Sequence, residues 1–149
     1  NNLGPVGDEQ YLLPIGKAIT KKRGKDVTIV SYSHAVTTCL EASVRLSLQD
    51  EIEAEVIDLA TLKPMDTQTI LRSVKKTGRL LVVHNSPEYG GYGAEVIACV
   101  TSDSEALAGL QATPKRLCGK ELPIPFAPEL ETEVIPSTEE VMQAVRSLF

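Results

Sequence analysis

Two histidines, three cysteines and a cluster of glycines are the residues of this 149-residue chain that could take part in chemistry. His34 follows the β-branched run Val27 to Tyr32, and His84 follows the apolar run Leu80 to Val83. If those runs are neighbouring parallel strands, both imidazoles stand at carboxyl ends, where open α/β sheets bind ligands and where an acid–base pair would be useful. Neither has a carboxylate or nucleophile beside it in sequence, so hydrogen bonding at a helix start or in a loop is the simpler role. Cys39, Cys99 and Cys118 are widely spaced, lie in apolar surroundings and match no zinc pattern. With no neighbouring His to activate them, they read as small buried hydrophobes in a reducing compartment. Ser31 and Ser33 lack a Gly-x-Ser-x-Gly elbow, which argues against a hydrolase triad.

The glycines occupy the stretch from Gly90 through Gly91 and Tyr92 to Gly93, flanked by Glu88 and Glu95. One reading is a phosphate cradle, making the chain a freestanding nucleotide- or phosphate-binding domain. However, Val96 stands where the dinucleotide fingerprint needs a third small residue, and no first strand of a nucleotide-binding half precedes the loop. The simpler reading is structural: Gly90, Gly91 and Gly93 permit positive φ and a tight return from strand to helix.

The elements that would position these residues follow from pattern. Val27–Tyr32, Glu55–Leu59, Leu80–Val83 and Lys115–Cys118 are strand candidates, the first and third apolar enough for burial on both faces. Between them, Val36, Cys39, Leu40, Ser43 and Leu46 recur at helical spacing, with Ser33 as the expected N-cap. Asp66 is placed to cap a helix through Ile70, Leu71 and Val74 that ends at Lys75-Lys76-Thr77-Gly78, cations and a glycine where the dipole and C′ geometry favour them. A third helix is expected from Ala94 to about Ser102, followed by a polar, irregular stretch. The segment Leu122–Pro128, with three prolines, is expected to run extended over the surface. Ser137 and Glu140 form a capping box for a last helix that turns Val141, Ala144, Val145 and Leu148 inward. Lys21 to Asp26 reads as a charged, solvated turn rather than a phosphate site. The alternation of strand and helix predicts an α/β domain, three-layered α/β/α, with a mostly parallel sheet.

Composition narrows the partners. Hydrophobic residues make up 42% of the chain, enough for one core, and the formal net charge of −5 argues against nucleic acid and anionic membranes while suiting a basic protein partner. No apolar run reaches the roughly 18 residues of a membrane span, so a soluble domain is expected. Asn1 to Tyr11, with Gly4, Pro5 and Gly7, reads as a linker, and residues 12–149 as the domain. The absence of an initial Met and of a secretory signal suggests a piece of a longer protein.

Seven stretches, taken in order, resemble one family: Leu13-Pro14-Ile15-Gly16-Lys17-Ala18, Asp26-Val27-Thr28-Ile29-Val30, Glu55-Val56-Ile57-Asp58-Leu59, Lys63-Pro64-Met65-Asp66, Lys75-Lys76-Thr77-Gly78-Arg79-Leu80, Gly90-Gly91-Tyr92-Gly93-Ala94-Glu95 and Pro123-Ile124-Pro125-Phe126. They are similar to the C-terminal domain of the β subunit of the thiamine-diphosphate-dependent 2-oxo acid dehydrogenases, a transketolase C-terminal fold. The resemblance implies an oxidoreductase whose catalytic histidine and cofactor contacts, thiamine diphosphate and magnesium, lie outside these residues, with no catalytic, cofactor or metal residue in this fragment. It implies packing with an α subunit and a second β subunit in an α2β2 heterotetramer, and docking of the basic peripheral-subunit-binding domain of a dihydrolipoyl acyltransferase. It further implies partner-binding roles for Phe149, whose carboxylate would end the chain, and for the acid of a Leu-(Asp/Glu)-Ala-Pro stretch. Here that stretch reads Leu110-Gln111-Ala112-Thr113-Pro114, so Gln111 replaces the acid, and Glu121 is the nearby carboxylate expected to compensate. His84-Asn85-Ser86-Pro87 leans toward branched-chain members such as 2-oxoisovalerate dehydrogenase, and Leu122 to Phe126 toward pyruvate members. Pyruvate, the commonest, is the favoured substrate. Such a protein would be cytoplasmic in bacteria, or located in the mitochondrial matrix or plastid of a eukaryote.

Overall fold

Val27, Ile29, Val30, Leu80, Leu81, Val82 and Val83 have no surface left to water, because their two strands form the middle of a five-stranded sheet. The computed structural model describes residues 12–149; the expected linker, 1–11, lies outside the described residues. The strands are β1 (Ile19–Lys22), β2 (Val27–Ser31), β3 (Ala54–Asp58), β4 (Leu80–Pro87) and β5 (Lys115–Gly119), in the order β1-β3-β2-β4-β5. All neighbours are parallel except β1, an antiparallel edge strand on β3.

Side-chain alternation along the strands divides the core into two layers. On one face, Val27, Ile29, Val56, Leu81 and Val83 pack against α1 (Ala35–Asp50) and α6 (Thr138–Arg146). On the other, Val30, Leu80 and Val82 pack against α2 (Thr67–Thr77), α3 (Gly93–Ser102) and α4 (Ser104–Ala108). Helix, sheet and helix make three layers, the expected architecture. A single turn, α5 (Pro128–Glu131), interrupts the exposed arm that follows β5.

Several local expectations hold for the reasons given. The Asp66 carboxylate accepts from Thr69 N at 3.1 Å at the start of α2, and Gly78 closes that helix at φ 68°. Ser137 and Glu140 make the capping box of α6 in both directions. Others differ. Ser33 does not cap α1: it sits at φ 58°, in the turn before the helix, and His34 is the N-cap without a side-chain bond. The charged turn begins as a strand, since Thr20, Lys21 and Lys22 lie on β1, an edge whose polarity hides it from hydropathy. The polar stretch after α3 holds α4, capped by Asp103 through Ala106 N at 2.8 Å.

Candidate functional site

The two histidines part company in the folded domain. His34 is exposed at the start of α1, beside Thr38, Ser137 and Thr138. His84 is 0% exposed, because β4 runs on as far as Pro87 and so carries the imidazole inside the sheet. They do not form an acid–base pair.

What surrounds His84 is internal structure. The Tyr32 ring stacks on it at 5.7 Å between centroids, and the Tyr92 ring meets Tyr32 edge-on. His84 Nδ1 lies 3.0 Å from the Ser86 carbonyl and 2.9 Å from Ser86 Oγ; a proton on Nδ1 satisfies the carbonyl, which can only accept. Nε2 is then the acceptor facing Cys118 Sγ at 3.5 Å. Burial disfavours the imidazolium and holds the His84 pKa below the usual histidine value. Burial also pushes the Cys118 thiol up, as it does Cys99, and drives Cys39 to about 12. All three thiols therefore stay protonated at neutral pH. The neighbour that Cys118 lacks in sequence is supplied by strand pairing, which sets His84 opposite it. The outcome is a packed thiol–imidazole contact rather than a thiolate nucleophile.

The glycine loop closes over this ring. A Cβ on Gly93 would lie 2.6 Å from His84 Nε2, and one on Gly91 would lie 2.4 Å from the Pro87 carbonyl oxygen and 2.5 Å from His84 Cε1. Gly90, at φ 71°, provides the left-handed turn. The volume a phosphate would occupy beneath the loop is filled by imidazole, so the glycines serve close packing and the nucleotide-binding reading loses its site. Glu88 is committed to Arg116 at 2.9 Å, and Glu95 is exposed on the first turn of α3.

The three expected partner-binding residues fall on two ends of the sheet. Gln111 donates its backbone N–H to the Gly78 carbonyl at 2.8 Å and lines a groove of about 510 Å³ with Leu107, Leu110 and Pro114. Phe149 is next to it: the Arg79 guanidinium lies 4.2 Å over its ring, and Arg79 Nε donates to the Leu148 carbonyl at 3.0 Å. Gly78 and Arg79 immediately precede β4, so Gln111 and Phe149 flank its amino end. Glu121 accepts from Tyr89 N at 2.9 Å, beyond the carboxyl end of β4, and lines a different groove with Gly90 and Arg116. Eight residues of strand, roughly 25 Å, separate the two ends. Glu121 therefore does not stand in for the acid missing at 111.

Large apolar side chains collect on the arm after β5. Phe126 is fully exposed, and Leu122, Ile124 and Leu130 are each more than half exposed. A run of this kind on a surface is characteristic of segments that are covered by another polypeptide.

A family model, "Transketolase, C-terminal domain", matches residues 16–141. The chain belongs to the transketolase C-terminal domain family. It is 40% identical over 139 residues to the mitochondrial pyruvate dehydrogenase E1 component subunit beta of Dictyostelium discoideum, covering 93% of this chain and 38% of that protein. It is 42% identical over 136 residues to the pyruvate dehydrogenase E1 component subunit beta of Rickettsia conorii, covering 91% and 41%. Among solved structures, a split-gene transketolase described as an inactive β4 tetramer matches with a TM-score of 0.76 and 25% identity, covering 91% of this chain and 43% of that one. The chain thus spans about two fifths of the length of these curated relatives.

Proposed function

We propose that this chain is the C-terminal assembly and docking domain of the β subunit of a pyruvate dehydrogenase E1 component. The protein to which it belongs would oxidatively decarboxylate pyruvate with thiamine diphosphate and magnesium and pass the acyl group to lipoyl groups. The observation that carries the reading is identity of about 40% to E1 β subunits along nearly the whole domain. Every buried side-chain nitrogen and oxygen among the described residues has a partner within the domain. No group of three His, Cys, Asp or Glu among the described residues is arranged to hold a metal ion. The reading assigns the binding of thiamine diphosphate and magnesium to the remainder of the assembly.

The domain's own task is adhesive. The apolar arm from Leu122 to Leu130 suits burial against the α subunit or a second β subunit in an α2β2 heterotetramer. The groove at Gln111, with Phe149 beside it, suits the basic peripheral-subunit-binding domain of the dihydrolipoyl acyltransferase. At that groove Gln111 offers a neutral hydrogen bond of about 1 kcal/mol where an acid would offer about 1.5–3 to a cation. Pyruvate is favoured over a branched-chain 2-oxo acid because the pyruvate-named relatives match so much of the chain. In the stretch His84 to Pro87 that leans toward branched-chain members, His84 faces the core rather than a substrate. In a bacterium the protein would be cytoplasmic; in a eukaryote, it would be in the mitochondrial matrix or a plastid.

Calorimetric titration of the full-length β-containing tetramer with the acyltransferase binding domain tests the docking face. Phe149→Ala is expected to weaken binding and Gln111→Glu to tighten it by roughly tenfold. Affinity unchanged in both variants would remove docking from this end of the sheet.

A further inference from the structure

The sequence carries two concentrations of positive charge, at 21–25 and 72–76, in a chain whose net charge is −5. The fold brings them face to face. β1 and the turn after it form one wall of a cleft, and one stripe of α2 forms the other. Thr69, Arg72, Ser73 and Lys76 lie on that stripe at the three-and-four spacing of a single helix face. Thr20 and Arg23 face them from the β1 side, and Glu55 of β3 lines the same cleft, whose volume is about 490 Å³.

The charges here are unequally satisfied. Glu55 is nearly buried. Its Oε1 accepts from Ser73 Oγ at 2.6 Å, and its Oε2 takes Lys76 Nζ together with Gly24 N at 3.4 Å. Ser73 is also within 2.7 Å of Thr28 Oγ1, so this carboxylate is braced to the central strand. Burial opposes its ionisation, but the bonds from Lys76, Ser73 and Gly24 prevail and hold its pKa below the ordinary carboxylate value. Glu55 is therefore consumed by Lys76. The other lysines of the two runs with close acids are turned elsewhere: Lys22 to Glu53 at 3.0 Å, and Lys75 to Asp103 and Glu105 at 3.1 and 2.7 Å. Arg23 and Arg72 have no hydrogen-bond or ion-pair partner among the described residues, and both line the cleft. Both guanidiniums are exposed and line the same cleft, so an anion held between them meets both.

We propose that the cleft between β1 and α2 is a binding site for a small anion carrying two phosphate groups. A guanidinium presents a planar fork matched to phosphate oxygens, and two forks on facing walls suit two phosphates better than one carboxylate. Thr20 and Thr69 line the space between, the Thr69 hydroxyl donating to Asp66 Oδ2 at 2.9 Å. The volume falls within the range of small-ligand sites. The site is distinct from the Gln111 groove and does not depend on the assembly reading.

Hydrogen–deuterium exchange of the full-length protein, followed peptide by peptide, tests this. The probes are inorganic pyrophosphate and ADP, each against sodium chloride at equal ionic strength. Both anions are expected to slow exchange in 19–24 and 68–77. The concentration giving half the effect should rise about tenfold in Arg23→Gln and in Arg72→Gln. It should not move in Arg45→Gln, whose side chain lies on α1 across the sheet. Protection by ADP at lower concentration than pyrophosphate would support the site and identify a nucleotide as the better ligand. Equal potency would support it as a reader of the phosphates alone. Absence of protection in both segments, or an unchanged half-effect in the Arg23→Gln/Arg72→Gln double variant, would overturn it. So would a double variant whose only defect is loss of assembly, since the cleft would then hold an acidic stretch of a partner chain.

Discussion

The two ends of the parallel sheet are built on opposite terms. At the carboxyl end, where open α/β sheets ordinarily hold their ligands, His84, Tyr32, Cys118 and the glycine loop fill the space with the domain's own atoms. At the amino end the surface is open. Gln111 lines a groove, Phe149 is 59% exposed beneath Arg79, and the cleft between β1 and α2 keeps two arginines without partners. A crossover loop rich in glycine is usually scanned for phosphate. Here its glycines make room for an imidazole, which occupies the space beneath the loop. Where glycines stand in sequence says that two parts of the chain approach closely; only the neighbour decides whether the purpose is binding or packing.

The sharpest way to break this contrast is at the closed end. Gly91→Ala drives a methyl to within 2.4 Å of a backbone oxygen that cannot swing aside, and is expected to destabilise the domain by about 3 kcal/mol in chemical denaturation. Gly90→Ala, where nothing lies within 4 Å of the added carbon, has only its φ of 71° to oppose it and should cost about 1 kcal/mol. Equal losses at the two positions would mean that the loop is not packed on His84.

Glu55→Ala, at the floor of the open cleft, removes the acceptor that Ser73 and Lys76 share. The loss expected in the same assay is about 2 kcal/mol, since a buried hydroxyl is left to find a new partner. A change within 0.5 kcal/mol would show the network to be dispensable.

Acidity separates the two ends further. The folded His84 pKa is depressed, so the unfolded chain takes up a proton first as pH falls. Stability is therefore complete above about pH 6.5, declines below it by at most about 1.4 kcal/mol per pH unit, and levels off once the buried ring also protonates. Carboxylates such as Glu55 and Asp66, whose folded pKa values are lowered, act in the same direction as the buried imidazole but over a lower pH range. Their stabilisation is present above about pH 4.5 and is lost as pH falls through their folded pKa values. Denaturation curves from pH 8 to 5 should show the first decline in the parent and none in His84→Asn. Persistence of the slope in the variant would exclude the ring as its source.

Much of the framework was legible before any coordinates because it is made of local signals. β2 and β4 are apolar on both faces, Asp66 and Gly78 bracket α2, and Ser137 with Glu140 opens α6. The features that escaped are non-local or polar. His84 and Cys118 lie 34 residues apart and meet only through strand register. β1 is a charged edge whose strand character comes from pairing with β3. Arg23 and Arg72 form one cleft only because β1 lies alongside α2. The shift of Glu121 to the far end of β4 has the same origin: ten residues from Gln111 is close in sequence, but β5 carries the chain the length of the sheet between them.

The smallest effect on stability and the most informative effect on function should come from Gln111→Glu, an exposed change expected to alter folding by less than about 0.5 kcal/mol. The decisive measurement pairs two activities of the full-length protein with the α subunit that the proposed function assigns to it, in the parent, Gln111→Glu and Phe149→Ala: the proposed pyruvate decarboxylation with an artificial electron acceptor, and acyl transfer to the lipoyl-bearing acyltransferase. An adhesive domain predicts that the first rate stays constant while the second, at limiting acyltransferase, follows the binding affinity upward in Gln111→Glu and downward in Phe149→Ala. If the two rates instead fall together in properly assembled variants, this end of the domain belongs to the chemistry, and the assignment of an assembly role is wrong.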